Sequence, residues 1–167
     1  MPKKKKNLSV FDQSPVAGSD KMRIGVLVSQ WNEEVTSSLL DGALETLHRH
    51  GVSELNIQVH AVPGSFELTA AAAMMAEASD CHAIICLGCI IQGETRHFEF
   101  IAHAVASGLS HVGALYNLPV IFGVLTTDTY AQAMERAGGR HGNKGDEAAM
   151  TALRMVELSQ KIHARET

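Results

Sequence analysis

The chain has 167 residues, 46% hydrophobic and 19% charged, so it can bury a core and is not a disordered polymer. A net charge of −4 and a pI near 6.1 exclude the basic surface that bulk nucleic-acid binding requires. No stretch reaches the roughly 18 apolar residues of a membrane helix, and three cysteines without framework spacing suit a reducing, cytoplasmic compartment.

Residues 1–20 read as a polar tail and 21–167 as one domain. The run Lys3-Lys4-Lys5-Lys6 has a signal peptide's charge without the apolar stretch that should follow, so it reads as solvated. Within the tail, Leu8-Ser9-Val10-Phe11 is a candidate short strand with no obvious partner in the chain. From Met22 the pattern becomes regular. Ile24-Gly25-Val26-Leu27-Val28 is a continuous apolar run, as expected of a strand buried on both faces. Val35, Leu39, Ala43 and Leu47 then form a helical stripe that Gly51 stops. A second strand is expected over 55–62, ending at Pro63-Gly64, and an alanine-rich helix over 66–78. A third strand spans 82–88, followed by a helix striped with Phe98, Ile101, Ala102 and Val105. The fourth strand, 120–125, leads to a helix over 130–137 that Gly138-Gly139 breaks, and a last helix covers 145–162. Strand and helix alternate four times, which predicts a three-layer α/β domain with a parallel sheet, of the flavodoxin-like class.

In open parallel sheets ligands bind beyond the carboxyl ends of the strands. Those segments hold the only Trp, a Pro-Gly-Ser turn and Gly93-Glu94-Thr95-Arg96-His97. The last joins a strand to a helix, where free backbone N–H groups and the positive end of the helix dipole suit a phosphate. His97 falls in the first helical turn. There the dipole disfavours imidazolium by about 0.3–1 kcal/mol, which still permits proton exchange near neutral pH. The bland alternative is a surface histidine at a helix end. Residues 88–95 spell a phosphate-binding loop in which Glu94 stands for the obligatory lysine, which argues against nucleoside triphosphate hydrolysis. Cys86 and Cys89 form a C-x-x-C on a strand rather than at a helix start, with no second pair, so they read as buried and structural. No histidine spacing suits a metal. Arg136 could grip a phosphate with its planar fork, or simply complement a helix end, and Gly142-Asn143-Lys144-Gly145 opens the last helix.

Taken together, Trp31-Asn32, Val62-Pro63-Gly64-Ser65-Phe66-Glu67, residues 87–99, residues 119–127, Glu135-Arg136-Ala137-Gly138 and Gly142-Asn143-Lys144-Gly145 resemble the lumazine synthase family. The likeness runs over residues 22–162, and the order and spacing of these segments make it specific. It implies condensation of 5-amino-6-(D-ribitylamino)uracil with 3,4-dihydroxy-2-butanone 4-phosphate to 6,7-dimethyl-8-ribityllumazine, the penultimate step of riboflavin biosynthesis. It implies no metal and no organic cofactor. His97 takes the proton-shuttle position. Glu94, Thr95 and Arg136 match the butanone phosphate site. Trp31, usually phenylalanine in the family, Asn32, Ser65, Phe66, Glu67, Cys89, Ile90, Ile91, Phe122 and Lys144 match the ribitylaminouracil site.

The resemblance also implies a sheet ordered 2-1-3-4, in which Phe122 and Arg136 belong to the edge opposite the Pro-Gly-Ser turn. Pentamers with interfacial sites would unite them, and residues 8–11 would pair with a neighbour's sheet. The absence of an insertion in 138–145 resembles members that build icosahedral shells. Riboflavin synthase is a further candidate partner; nucleic acid and membrane are not. Gln92 replaces a frequent arginine, Thr69 a frequent proline, and Gly139-Arg140-His141 a more usual Thr-Lys-Ala. Two rivals make distinct predictions: a non-catalytic flavin-binding or shell-forming relative lacks turnover, and a flavodoxin-like electron carrier is yellow and redox-active.

Overall fold

In a computed structural model describing residues 14–164, β1 (Ile24–Ser29) is buried almost throughout because helices cover both of its faces. It is followed by α1 (Glu33–Arg49), β2 (Ile57–Val62), α2 (Leu68–Ala78), β3 (Ala83–Ile91) and α3 (His97–Tyr116). Next come β4 (Val120–Thr127), the short α4 (Tyr130–Met134), β5 (Ala137–Gly139), β6 (Gly142–Asn143) and α5 (Lys144–His163). The main sheet has the order β2-β1-β3-β4, and every pairing in it is parallel. Ile24 lies opposite both Ile57 and Ala83, and Cys86 lies opposite Phe122. The expected three-layer flavodoxin-like arrangement is what the chain adopts. The tail strand expected at residues 8–11 and the lysine run lie outside the described residues.

Two cores flank the sheet. Ile85 and Leu87 of β3 join Val35, Leu39 and Leu47 of α1 and Ala149, Leu153 and Val156 of α5. Ile84 and Cys86, pointing the other way, join Leu68 and Met75 of α2 and Val105, Leu109 and Val112 of α3. A continuous apolar run is therefore what a strand between two helical layers needs. Truncating Leu39 or Leu153 to Ala would cost about 2–5 kcal/mol. Helices α1 and α5 meet backbone to backbone: a β-carbon at Gly145 would stand 1.8 Å from the Leu39 carbonyl oxygen. One at Gly42 would stand 2.5 Å from both Asn143 Nδ2 and Asp146 Oδ1.

Several boundaries differ from expectation for local reasons. The second strand begins at Ile57, because Glu54–Asn56 form a 3₁₀ turn that leaves Leu55 94% exposed. The alanine-rich helix begins at Leu68, because Ser65–Glu67 is a 3₁₀ turn in which the Glu67 carboxylate accepts from the Gly64 N–H (3.0 Å). Helix α4 ends at Met134 and the chain turns into the β5–β6 hairpin, where Gly138 and Gly142 take positive φ angles. No helix among the described residues is long and apolar enough to cross a membrane.

Candidate active site

The strand ends converge on one small cleft of about 270 Å³. Trp31 and Asn32 reach it from the end of β1, Ser65 and Phe66 from the turn after β2, and Cys89, Ile90 and Ile91 from the end of β3. Gly93, Thr95 and His97 close it from the β3–α3 connection, together with Phe98 and Ile101 of α3. Backbone bonds fix this rim: Gln30 N donates to Val62 O (2.8 Å), Trp31 N to Pro63 O (3.1 Å) and Gln92 N to Thr127 O (2.8 Å). Asn32 sits in the left-handed region at φ 60° and does not cap α1 with its side chain. Its amide instead donates to Cys89 O at 3.0 Å, tying the ends of β1 and β3 together.

His97 is the first residue of α3, with Arg96 at the N-cap, and its ring stands on the exposed rim. The backbone N–H of His97, expected to be open, is taken by Thr95 Oγ1 at 3.4 Å. Glu94 is exposed beside Thr95 but does not line the cleft. Glu67 is likewise outside it, its Oε2 spent on the Gly64 N–H (3.0 Å). Beneath the turn, the hydroxyls of Ser29 and Ser65 are buried and without a hydrogen-bond partner. Cys86 and Cys89 are buried in β3, and burial pushes their thiols up to about 12 and about 11. The reading of both as structural agrees with this. Among the described residues no group of three or more His, Cys, Asp or Glu is placed to hold a metal.

Phe122, Lys144 and Arg136 are elsewhere. Phe122 and Lys144 line a larger groove of about 830 Å³ between α3, β4 and α5, on the opposite edge of the sheet from β2. Lys144 Nζ pairs with Glu147 Oε2 at 2.9 Å. Arg136 lines neither cavity; its Nη1 donates to Gln132 O (2.9 Å), the helix-end role set beside phosphate binding in the sequence. One chain therefore brings together the residues around Trp31 and His97 but not Phe122, Lys144 or Arg136.

The family model for 6,7-dimethyl-8-ribityllumazine synthase matches residues 21–160. The chain belongs to that family. It is 49% identical to the 6,7-dimethyl-8-ribityllumazine synthase of Parabacteroides distasonis, over 92% of this chain and 96% of the relative. The enzyme of the same name from Cytophaga hutchinsonii is 52% identical, over 90% of this chain and 94% of the relative. That of Bacteroides fragilis is 51% identical over 82% and 96%.

Within this lumazine synthase family member, the departures from the family's usual residues have visible settings. Thr69 lies in the first turn of α2, where no intrahelical N–H bond is owed and proline and threonine are both accommodated. The Gln92 side chain folds onto Gly93 O (3.0 Å). In the hairpin turn, Arg140 Nε reaches Glu135 Oε2 at 2.9 Å. Gly93 was legible as part of the phosphate segment, whereas Phe98 and Ile101 read only as parts of a helical stripe and were missed as lining residues. Sequence reasoning also missed the bond from Tyr130 Oη to the Glu34 carboxylate, which joins the β4–α4 loop to the start of α1 and holds the Tyr130 phenol above its ordinary pKa. These two residues are 96 positions apart, and no local signal links them.

Proposed function

We propose that this chain condenses 5-amino-6-(D-ribitylamino)uracil with 3,4-dihydroxy-2-butanone 4-phosphate to 6,7-dimethyl-8-ribityllumazine, releasing phosphate and water, in riboflavin biosynthesis. The observation that carries this reading is the cleft at the strand ends, where an exposed aromatic ring, a polar turn and a helix start bearing histidine face one space. The Trp31 ring stacks on the pyrimidine, with Cys89, Ile90 and Ile91 along its edge; Ser65 and Phe66, on the turn that Glu67 braces through the Gly64 N–H, face the ribityl chain, and Asn32 holds the end of β1 beside it. Thr95 and Glu94 border the phosphate, which the positive end of α3 favours. Imine formation, phosphate elimination, ring closure and dehydration each move protons, and His97 is the group on the rim suited to carry them.

The remaining residues come from a second copy. Phe122 and Lys144 of a neighbour complete the ribitylaminouracil site, and its Arg136 clamps the phosphate with a planar fork. Support comes from the two unlike edges of the chain: Trp31, Phe66 and Val59 are exposed on one, and Phe122, Met155, Leu158 and Ile162 on the other. Unlike patches join head to tail and close into a ring, here a pentamer. The segment 138–145, which holds the turn of the β5–β6 hairpin and carries no insertion, favours further assembly into a shell. Three buried free thiols fit a cytoplasmic enzyme.

The test is product formation from the two purified substrates, followed by lumazine absorbance with a chelator present and a no-enzyme control. Acceleration over the control is expected; none from folded protein would overturn the reaction. Sedimentation velocity should give a mass in multiples of five chains, and a fully active monomer would overturn the shared site.

A further inference from the structure

The glycine of the Pro-Gly-Ser turn has an ordinary backbone, with φ −132° and ψ 176°, a conformation open to any residue. Its lack of a side chain therefore answers to space rather than to backbone geometry. What fills that space is the Trp31 ring. A β-carbon at Gly64 would lie 2.6 Å from Cε3 and 2.7 Å from Cζ3 of the indole, and 3.1 Å from Glu67 Oε2 below. The two clashing atoms belong to the six-membered part of the indole, the extra bulk that sets tryptophan apart from a smaller ring. The backbone of Trp31 is tied to Pro63 O (3.1 Å) and its predecessor to Val62 O (2.8 Å), so the strand end is held. The ring itself is 67% exposed, so a carbon placed at Gly64 would push it toward solvent and not into the core.

We propose that Gly64 is a positioning residue: by carrying no side chain it seats the Trp31 indole flat against the turn and sets the height of the stacking surface over the cleft. Tryptophan at 31 and glycine at 64 are then a matched pair, the larger ring being accommodated because nothing stands beneath it. The kinetic part of this inference rests on the reaction proposed above; the optical part does not.

Trp31 is the only tryptophan of the chain, so indole emission reports this one ring. In the full-length assembled protein, Gly64→Ala should shift that emission and increase its quenching by acrylamide. The Michaelis constant for ribitylaminouracil should rise about 3- to 10-fold, the worth of one aromatic stacking contact. The turnover number and the constant for butanone phosphate should stay unchanged. In the Gly64→Ala background, Trp31→Phe should add no further loss, leaving the double variant equal to Trp31→Phe alone. Unchanged emission and Michaelis constant in Gly64→Ala, or losses that simply add in the double variant, would overturn the proposal. If Gly64→Ala alone fails to fold, recovery of folding in the double variant supports the pairing, and its failure overturns it. Absence of lumazine formation by the unmodified protein would remove the reaction but leave the emission test standing.

Discussion

At the amino end of the sheet, Arg23 and His82 exchange two backbone-anchored hydrogen bonds: Arg23 N donates to His82 Nδ1 (3.0 Å) and His82 N to Arg23 O (2.7 Å). The Arg23 guanidinium then reaches both the carbonyl and the carboxylate of Asp80, at 3.0 and 2.9 Å. At the carboxyl end, β1 and its neighbour β2 finish differently. Ser29 Oγ and Ser65 Oγ are buried without partners, Asn32 is held in a left-handed conformation, and Trp31 and Phe66 lie open. An unpaired buried hydroxyl costs about 1–3 kcal/mol, and two of them lie together at this end. The amino end is a clasp of paired groups; the carboxyl end leaves two serine hydroxyls unpaired and two aromatic rings open.

That contrast can be tested, beginning with its largest expected effect. Although Cys89 lies at the cleft, its raised thiol pKa should make iodoacetamide labelling of folded protein at neutral pH at least about 100-fold slower than for a free thiol. Mass spectrometry would check this, and fast labelling would mean that the carboxyl end opens to the strand interior. Next, His97→Ala should lower turnover about 10- to 100-fold with an unchanged melting temperature, since the ring sits on the exposed rim. Unaltered turnover would sink the shuttle. Arg136→Ala should raise the Michaelis constant for butanone phosphate about tenfold. Its melting temperature should fall only slightly, through the lost bond to Gln132 O.

The smallest effect belongs to the clasp. Burial, aided by Arg23 and opposed by Asp80, holds the His82 imidazole below its ordinary pKa of 6.5. The unfolded chain therefore takes up the proton first. The clasp's contribution is complete above about pH 6.5 and is lost as the pH falls through that value toward the lower folded one. His82→Asn, which keeps an acceptor and removes the titration, should flatten the melting temperature between pH 5 and 7 while leaving turnover untouched. The difference should stay within about 1 kcal/mol, because solvent screens the site.

The sheet was readable in the sequence where burial is two-sided. The run through Ile84, Ile85, Cys86 and Leu87 has only one use in a layered fold, and β3 covers it, starting at Ala83 and running three residues past the expected end, to Ile91. Reading failed where an apolar letter is not buried. Leu55 suggested strand but stands in solvent, and Phe66 suggested helix but belongs to a turn that the Glu67 carboxylate fixes. The β5–β6 hairpin was invisible because glycine carries no strand signal, and its residues read only as a break. For the cleft, position along the chain was enough, since strand ends in a parallel sheet must neighbour each other. Distances between Phe122, Lys144 and the cleft were not accessible to pattern, though the edge on which they lie was.

The close approach of α5 to α1 at Gly145 limits how the protein can vary. A residue such as Leu55, 94% exposed, faces solvent, and a library of substitutions there should return many letters. At Gly145 the Leu39 carbonyl already occupies the place of a first carbon, so the same library should return one. That single-letter position lies next to Lys144, at the first turn of α5. The close seating of the helix that opens with Lys144 thus depends on a residue with no functional group at all, and selection for chemistry there would be read out as selection for emptiness.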